Sequence, residues 1–377
     1  MTGFYIHWPF CAAKCPYCDF NVHLRENIDQ QQMLDTYIKE MEYVFARYKT
    51  PVSSVFFGGG TPSLMSPQTV GAIIDKIQAL WGFKNDIEIT LEANPNSSEA
   101  QKFADFKQAG INRVSIGVQS FNNERLKFLG RIHDGDAALK AVSSAAEIFD
   151  KFSFDLIYAT PKQSLDEWKT ELKQALQFAK GHMSLYQLTI EKGTKFYLSE
   201  ARGDFVMPDE DTGADFYEVT QEIMSASGMP AYEVSNYAAN EDHQSAHNLN
   251  YWRYGDYIGI GPGAHGRLTV NGNKIATRVH RAPDIWQQRI AEQGHAYEQW
   301  ESLNDETQTH EKLMMGLRLV EGMKLPETIA RTKIDTLCDE GFLLKDGELV
   351  KPTRKGLACH NAVVGYLLGG SNIHAAA

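Results

Sequence analysis

Between residue 4 and about residue 190 the chain alternates short apolar runs with longer amphipathic stretches. Runs at 4–8, 52–58, 86–93, 113–120, 152–159 and 182–190 have the length and the β-branched or aromatic content of buried strands. The stretches between them carry helix-start signals. Ser66 stands before Pro67, a capping residue ahead of a proline at the first helical position. Asn96 precedes Glu99 and Ser164 precedes Glu167 by three residues, the spacing of a capping box. Repeated β–α units of this length predict an α/β fold with a parallel sheet and right-handed crossovers. Six units suit a partial (β/α)6 barrel with ligands at the C-terminal ends of its strands. A doubly wound open sheet satisfies the same periodicity.

Beyond the alternation the pattern changes. A helix is predicted from near Pro208 to about residue 230, with Phe216, Val219 and Ile223 on one face. An extended stretch at 231–235 leads into a loop rich in Asn, Asp and His, which contains His247. From about residue 300 the order is an amphipathic segment at 310–320, a helix at 333–338 ending before Gly341, a hairpin at 343–350 and a helix at 355–368. Helix, helix, hairpin predicts a small winged-helix-like C-terminal domain. The chain then divides into a core at 1–230, an extension at 231–300 and the C-terminal domain at 301–377. The tail from Gly369 on is expected to be frayed.

Composition narrows the class. The 377 residues are 43% hydrophobic and 23% charged, as in ordinary globular chains. No apolar run approaches the length of a bilayer span, so an integral membrane protein is not expected. The N-terminus lacks the basic and apolar regions of a signal peptide. The net charge of −11 argues against nucleic acid as a partner, and no basic cluster marks the helix at 333–338, so that domain reads as a docking unit. Five cysteines are too few and of the wrong parity for a disulfide framework, which points to a reducing, cytoplasmic setting.

Three of those cysteines fall together. Cys11, Cys15 and Cys18 have the spacing C-x3-C-x2-C, and Pro9 and Pro16 keep the segment from forming a continuous helix. Three thiolates can hold three irons of a [4Fe–4S] cube and leave the fourth open to an exchangeable ligand. A zinc ion held with His7 or Asp19 as fourth ligand uses the same cysteines. Cys338 and Cys359 have no metal-ligand spacing. Polar and glycine residues gather at the ends of the strand runs: Gly58-Gly59-Gly60-Thr61-Pro62, Glu92-Ala93-Asn94-Pro95, Gly117-Val118-Gln119-Ser120, Asp155 and Thr160-Pro161-Lys162. Singly these are tight turns or hydrogen-bonded core groups. Several at one rim are better explained by a site.

With an aromatic residue before its last cysteine, the cysteine motif resembles that of the radical S-adenosylmethionine (SAM) superfamily. The resemblance implies a cluster whose open iron binds the amino and carboxylate groups of SAM. Tyr5-Ile6-His7, Phe57 to Pro62, Glu92 to Pro95, Arg113 to Ser120, Asp155 to Tyr158 and Tyr257 to Gly263 further resemble the oxygen-independent coproporphyrinogen III oxidase group. Matched position by position, the resemblance places Tyr5, Tyr17, Gly59, Gly60, Thr61, Glu92, Gln119, Arg131 and Asp155 around SAM, with Thr189 and His265 at its periphery. It implies that Gly59 to Thr61 offer backbone groups to the methionine end. Glu92 and Arg131 would meet its charged groups, and Asp155 and Gln119 its ribose and adenine.

Two departures separate the chain from the oxidase. Phe20 stands where the oxidase has a further cysteine, and ten residues precede Cys11 where the oxidase carries a long extension. Both departures, and the motif H-N-x-x-Y-W at His247-Asn248-Leu249-Asn250-Tyr251-Trp252, resemble the HemW-type haem chaperones. That likeness implies that His247 ligates haem iron, with Tyr251, Trp252 and Tyr254 flanking the porphyrin; the other reading of His247 is a hydrogen-bonded loop anchor.

The expectation is a haem chaperone that binds a [4Fe–4S] cluster, SAM and haem and delivers haem to acceptor proteins such as respiratory enzymes. No catalytic residue is assigned. An electron donor is a partner if SAM is cleaved, and dimerisation is left open. The rivals are oxidative decarboxylation of coproporphyrinogen III and an interaction protein with a structural cluster.

Overall fold

The computed structural model describes residues 1–369. All six strand runs form, with ends shifted by a few residues: β1 Thr2–Trp8, β2 Val52–Gly59, β3 Phe83–Ala93, β4 Arg113–Gln119, β5 Lys151–Tyr158 and β6 His182–Gln187. They lie side by side in chain order, each parallel to the next. Sequential order without a reversal is the topology of a barrel segment; a doubly wound sheet would switch direction part-way. Beyond β6 lies β7, Asn236–Ala238, antiparallel to it. Beyond β1 lie β8 (Asp256–Ile260), β9 (His265–Val270), β10 (Asn273–Val279) and β11 (Tyr297–Ser302), completing eleven strands.

Strand alternation divides the chemistry. Phe4, Ile6 and Trp8 of β1 join Val55, Phe57, Leu91, Val114, Ile116 and Phe154 in a fully buried core with Tyr37, Met41 and Val44 of the helix Gln30–Phe45. Burying each large side chain contributes roughly 1.5–3 kcal/mol. The intervening residues face the barrel interior, because side chains alternate across a strand. Register brings them level: His7 pairs with Gly58, Phe56 with Thr90, and Glu92 with Ser115.

Helix starts follow the local signals. Ser66 caps Pro67–Trp81, and Ser164 and Glu167 form the full capping box of Leu165–Leu176. Asn96 accepts from Glu99 N–H at 2.9 Å, at the short helix Ser97–Ala100. The helix predicted from Pro208 is Glu210–Ala226, capped by Asp209, and it buries Phe216. Residues 231–235 are irregular apart from single bridges at Ala231 and Glu233; the strand follows them.

The polar loop expected around His247 is instead a helix, Ala246–Trp252. Its sequence has little helical propensity, yet its N-terminus is satisfied from outside. Ser245 caps it, and the Glu88 carboxylate of β3 accepts from Ala246 N–H at 3.2 Å and His247 N–H at 3.1 Å.

Toward the C-terminus Leu313, Leu317, Ile334, Leu337, Phe342, Leu343, Val350, Val363 and Leu367 form a second apolar cluster. Its elements are Asp305–Gly316, Arg331–Asp339, the hairpin Leu343–Asp346 with Leu349–Pro352, and Arg354–Ala358 followed by His360–Leu367. The segment expected at 310–320 starts earlier, at the Asn304 cap, and ends at Gly316. The single helix expected at 355–368 is broken at Cys359 (φ −102°, ψ 29°). An Arg318–Glu233 ion pair at 2.9 Å, its carboxylate fully buried, ties this unit to the barrel. The tail from residue 370 lies outside the described residues.

Candidate cofactor-binding site

The cysteine loop leaves β1 and returns on itself. Phe10–Cys11 pairs in parallel with His23–Leu24, and His23 N–H donates to Pro9 O at 2.7 Å. Cys18 N–H donates to Cys15 O at 3.2 Å, and Pro16 O accepts from Phe196 N–H at 2.9 Å. The three cysteines are each half-buried at one cavity, together with Tyr17, Gly59, Gly60, Thr61, Glu92, Asn94, Gln119, Arg131 and Asp155. The strand-end residues and the cysteine loop therefore share one site, at the C-terminal rim of the strands.

Thr61 Oγ1 donates to Cys11 Sγ at 3.5 Å and Arg131 Nη1 to Cys15 Sγ at 3.4 Å. Burial pushes the Cys11 thiol up to about 11 and raises that of Cys18. Thiols placed this way keep their protons until a metal displaces them. Among the described residues no three Cys, His, Asp or Glu side chains stand close enough to share one ion. A cubane asks for a wider triangle, since each thiolate holds a different iron.

The glycine turn is built against the loop. Gly60 N–H donates to Trp8 O at 2.7 Å and Thr61 N–H to Phe10 O at 2.8 Å, and a Cβ on Gly60 would fall 2.5 Å from Phe10 O. Gly59 has φ +110°, and its N–H donates to Glu92 Oε2 at 3.2 Å. The N–H groups of this turn are thus engaged within the protein. Its remaining contribution to a ligand is carbonyl oxygen, which suits an ammonium.

Charge in the cavity is unbalanced. Burial, then the Asp155 carboxylate, pushes Glu92 up to about 8 against the pull of Gly59 N–H. Burial pushes Asp155 up to about 6, offset by the Ser184 hydroxyl and by Arg113. Arg131 Nη2 donates to Asn94 Oδ1 at 2.6 Å and Gly117 O at 2.8 Å, while its Nε is buried without a partner. Two carboxyls beside one unfilled guanidinium donor suit a ligand carrying both a cation and a carboxylate. The residues present fit a cluster with SAM beside it.

Tyr5 and His265 line a second cavity of about 500 Å³, with His7, Asn21, Tyr251, Trp252, Tyr257 and Met315. Phe20, Gly59 and Glu92 line both cavities, so the two adjoin. The volume lies within the roughly 300–1,000 Å³ of small-molecule sites. His265 is exposed, and partial burial with the cations Arg267 and Arg278 lowers its pKa, favouring neutral imidazole.

His247 is buried beneath this cavity, on neither lining. Its ring stacks on Phe56 at 4.8 Å. Its two nitrogens meet Ser54 Oγ at 3.1 Å and Tyr251 OH at 2.9 Å. Thr189 is exposed, bonded to Gln187 O at 3.4 Å, and lines neither cavity.

Several residues of the site escape sequence reasoning. Asn94 links Arg131 to Thr61, donating to Thr61 Oγ1 at 3.0 Å, and was legible only as part of a strand-end motif. Asn21 donates to Pro262 O at 2.9 Å and Arg281 O at 2.8 Å, contacts across the chain that carry no local signal.

Comparison with known proteins identifies the family. Residues 5–175 match the model of the radical SAM superfamily. The chain is 38% identical to the protein named "Heme chaperone HemW" of Escherichia coli (strain K12), over 97% of each chain. It is 37% identical to "Radical S-adenosyl methionine domain-containing protein 1, mitochondrial" of Danio rerio, over 85% of this chain and 74% of the relative. The solved structure of coproporphyrinogen III oxidase (HemN) from Escherichia coli superposes with a TM-score of 0.80 at 20% identity, covering 98% of this chain and 90% of that one, a likeness of fold. With the cysteine triad, the strand-end cavity and these relatives together, the chain belongs to the HemW family of the radical SAM superfamily.

Proposed function

We propose that this chain is a cytoplasmic haem chaperone: it holds a [4Fe–4S] cluster on Cys11, Cys15 and Cys18, SAM in the first cavity and haem in the second, and passes haem to acceptor proteins such as respiratory enzymes. The observation that carries the reading is the adjoining of the two cavities. A cysteine-lined pocket shares Phe20, Gly59 and Glu92 with an aromatic pocket that is lined by the exposed imidazole of His265. The relative's name, "Heme chaperone HemW", supports haem as the occupant.

In this reading Glu92 and the glycine-turn carbonyls take the ammonium of SAM and Arg131 takes its carboxylate. Asp155 and Gln119 meet the ribose and adenine, Tyr17 closes the cluster side, and Tyr5 stands between the pockets. The cluster, when bound, supplies an open iron for SAM and a reservoir of one electron. His265 is the imidazole placed to reach haem iron directly, while Tyr251 and Tyr257, 4.5 Å apart edge to face, wall the pocket. His247 holds Tyr251 from below; ligation by His247 itself requires Tyr251 to yield. A ligand at an open mouth lets haem leave for an acceptor, as a carrier needs.

The test is anaerobic. Cluster-loaded protein is given haem and, separately, SAM, reductant and coproporphyrinogen III. A saturable Soret shift with no decarboxylated product supports the chaperone; product formation supports the oxidase instead.

A further inference from the structure

The two pockets are joined by more than a shared wall. After Cys18 the chain passes through Phe20 and Asn21 before it pairs again at His23, and Asn21 is fastened on three sides. Its backbone oxygen accepts from His7 Nε2 at 2.9 Å. Its amide nitrogen donates one hydrogen to Pro262 O at 2.9 Å and the other to Arg281 O at 2.8 Å. Both donors of one side chain therefore leave the cysteine loop and end on the segments flanking β9 and β10.

The receiving turn is shaped for this contact. Gly263 has φ +87°, and a Cβ there would lie 2.5 Å from Asn21 Nδ2, so only glycine admits the amide. Gly261 has φ +100°, and its N–H is held from behind by Glu40 Oε2 at 2.9 Å. Gly263 N–H donates to His280 O at 3.1 Å, and Ala264 N–H to Gly261 O at 3.0 Å. The next residue is His265, at the mouth of the second cavity. Two further ties run in parallel: His23 Nε2 meets Arg281 O at 3.3 Å, and Arg25 pairs with Asp284 at 2.8 Å. The Arg25 pair is exposed and contributes little. The Asn21 amide, partly buried and using both hydrogens, is the firmest link.

We propose that Asn21 is a positioning residue that couples the two pockets: a cluster that fixes the cysteine loop also fixes the turn at 261–264 beneath His265, so the second pocket binds its ligand more tightly when the cluster is in place. Coupling of this kind is reciprocal, so occupancy of the second pocket also slows loss of the cluster. The haem arm of the test rests on the chaperone reading; the backbone arm does not.

The experiment compares cluster-loaded and chelator-stripped full-length protein, as wild type and as Asn21→Ala. Hydrogen exchange of peptides spanning 258–268 is read without haem, and haem affinity is read by Soret titration. Wild type should show slower exchange in this turn and at least about fivefold tighter haem binding when loaded. In Asn21→Ala, with iron content unchanged, most of both differences should be lost, the His23 and Arg25 ties alone remaining. Should Asn21→Ala fail to fold, Asn21→Asp keeps the side-chain shape, removes both donors and should give the same result. Equal exchange in loaded and stripped wild type, or an undiminished difference in the variant, overturns the proposal. Slower exchange with no haem binding to wild type leaves the coupling standing and overturns the haem reading.

Discussion

The imidazole of His247 lies 2.9 Å from the hydroxyl of Tyr251, one turn further along the same helix. Its other nitrogen is held by Ser54, and burial lowers its pKa to about 3, so the ring is neutral wherever the protein is folded. His247→Ala leaves both hydroxyls short of a partner in the interior, at a cost of about 1–3 kcal/mol for each. The variant should melt several degrees lower, as read by thermal denaturation, and should bind haem more weakly because Tyr251 loses its support. The wild-type ring favours the folded state fully above its unfolded pKa of 6.5, and that contribution falls away as pH drops toward 3. An unchanged melting temperature in His247→Ala would remove the structural role.

The cluster assignment separates the five cysteines. Cys11→Ser, Cys15→Ser and Cys18→Ser should each abolish the iron–sulfur absorption of the reconstituted protein. Cys338→Ser and Cys359→Ser should leave iron and sulfide content unchanged, since both residues border the C-terminal apolar cluster. Zinc without iron in anaerobically prepared protein would contradict the assignment.

Glu92 makes SAM affinity depend on pH. A carboxyl held near 8 is protonated below that value and must ionise to meet an ammonium. Affinity should therefore climb with rising pH up to about 8, by as much as about tenfold per unit. Glu92→Gln should flatten this slope while keeping normal cluster content. The ligand's own amino group titrates equally against both proteins, so the difference isolates Glu92. Parallel pH profiles by calorimetry would count against its assigned role.

Glu40 gives stability a slope of the opposite sign to His247. It is fully buried, accepts from Gly261 N–H and from Trp286 Nε1 at 3.0 Å, and burial pushes it up to about 7. Between its ordinary 4.5 and about 7 the folded state binds the extra proton, so this group destabilises the fold progressively as pH rises through that window. The effect is on the order of 3 kcal/mol. Glu40→Gln should lose this part of the pH dependence in urea unfolding; an unaltered profile would show the carboxyl to be ionised throughout.

How much of this was legible in the chain differs from feature to feature. The six parallel strands read clearly because both of their faces are covered, so each appears as a compact apolar run broken by polar residues at its end. Those end residues, Glu92, Gln119 and Asp155, do meet the cysteine loop, because sequential parallel order brings every C-terminal end to one rim. The helix at His247 carries little local signal because its N-terminus is completed by Glu88, 159 positions earlier in the chain. Local propensity cannot see such a partner. The second cavity was equally hidden: its walls come from β1, the cysteine loop, the helix Ala246–Trp252 and the turn before β9. His265, which the motif places at the periphery of SAM, lines the second cavity.

The chaperone reading requires a porphyrin pocket with an accessible imidazole beside the cluster site. Its most direct test is a haem titration of anaerobically reconstituted wild type and His265→Ala, following the Soret band. Wild type should bind one haem per chain saturably and His265→Ala should bind it markedly more weakly, with cluster absorption intact in both. Absence of a saturable Soret shift in wild type, or identical titrations for the two proteins, would contradict it.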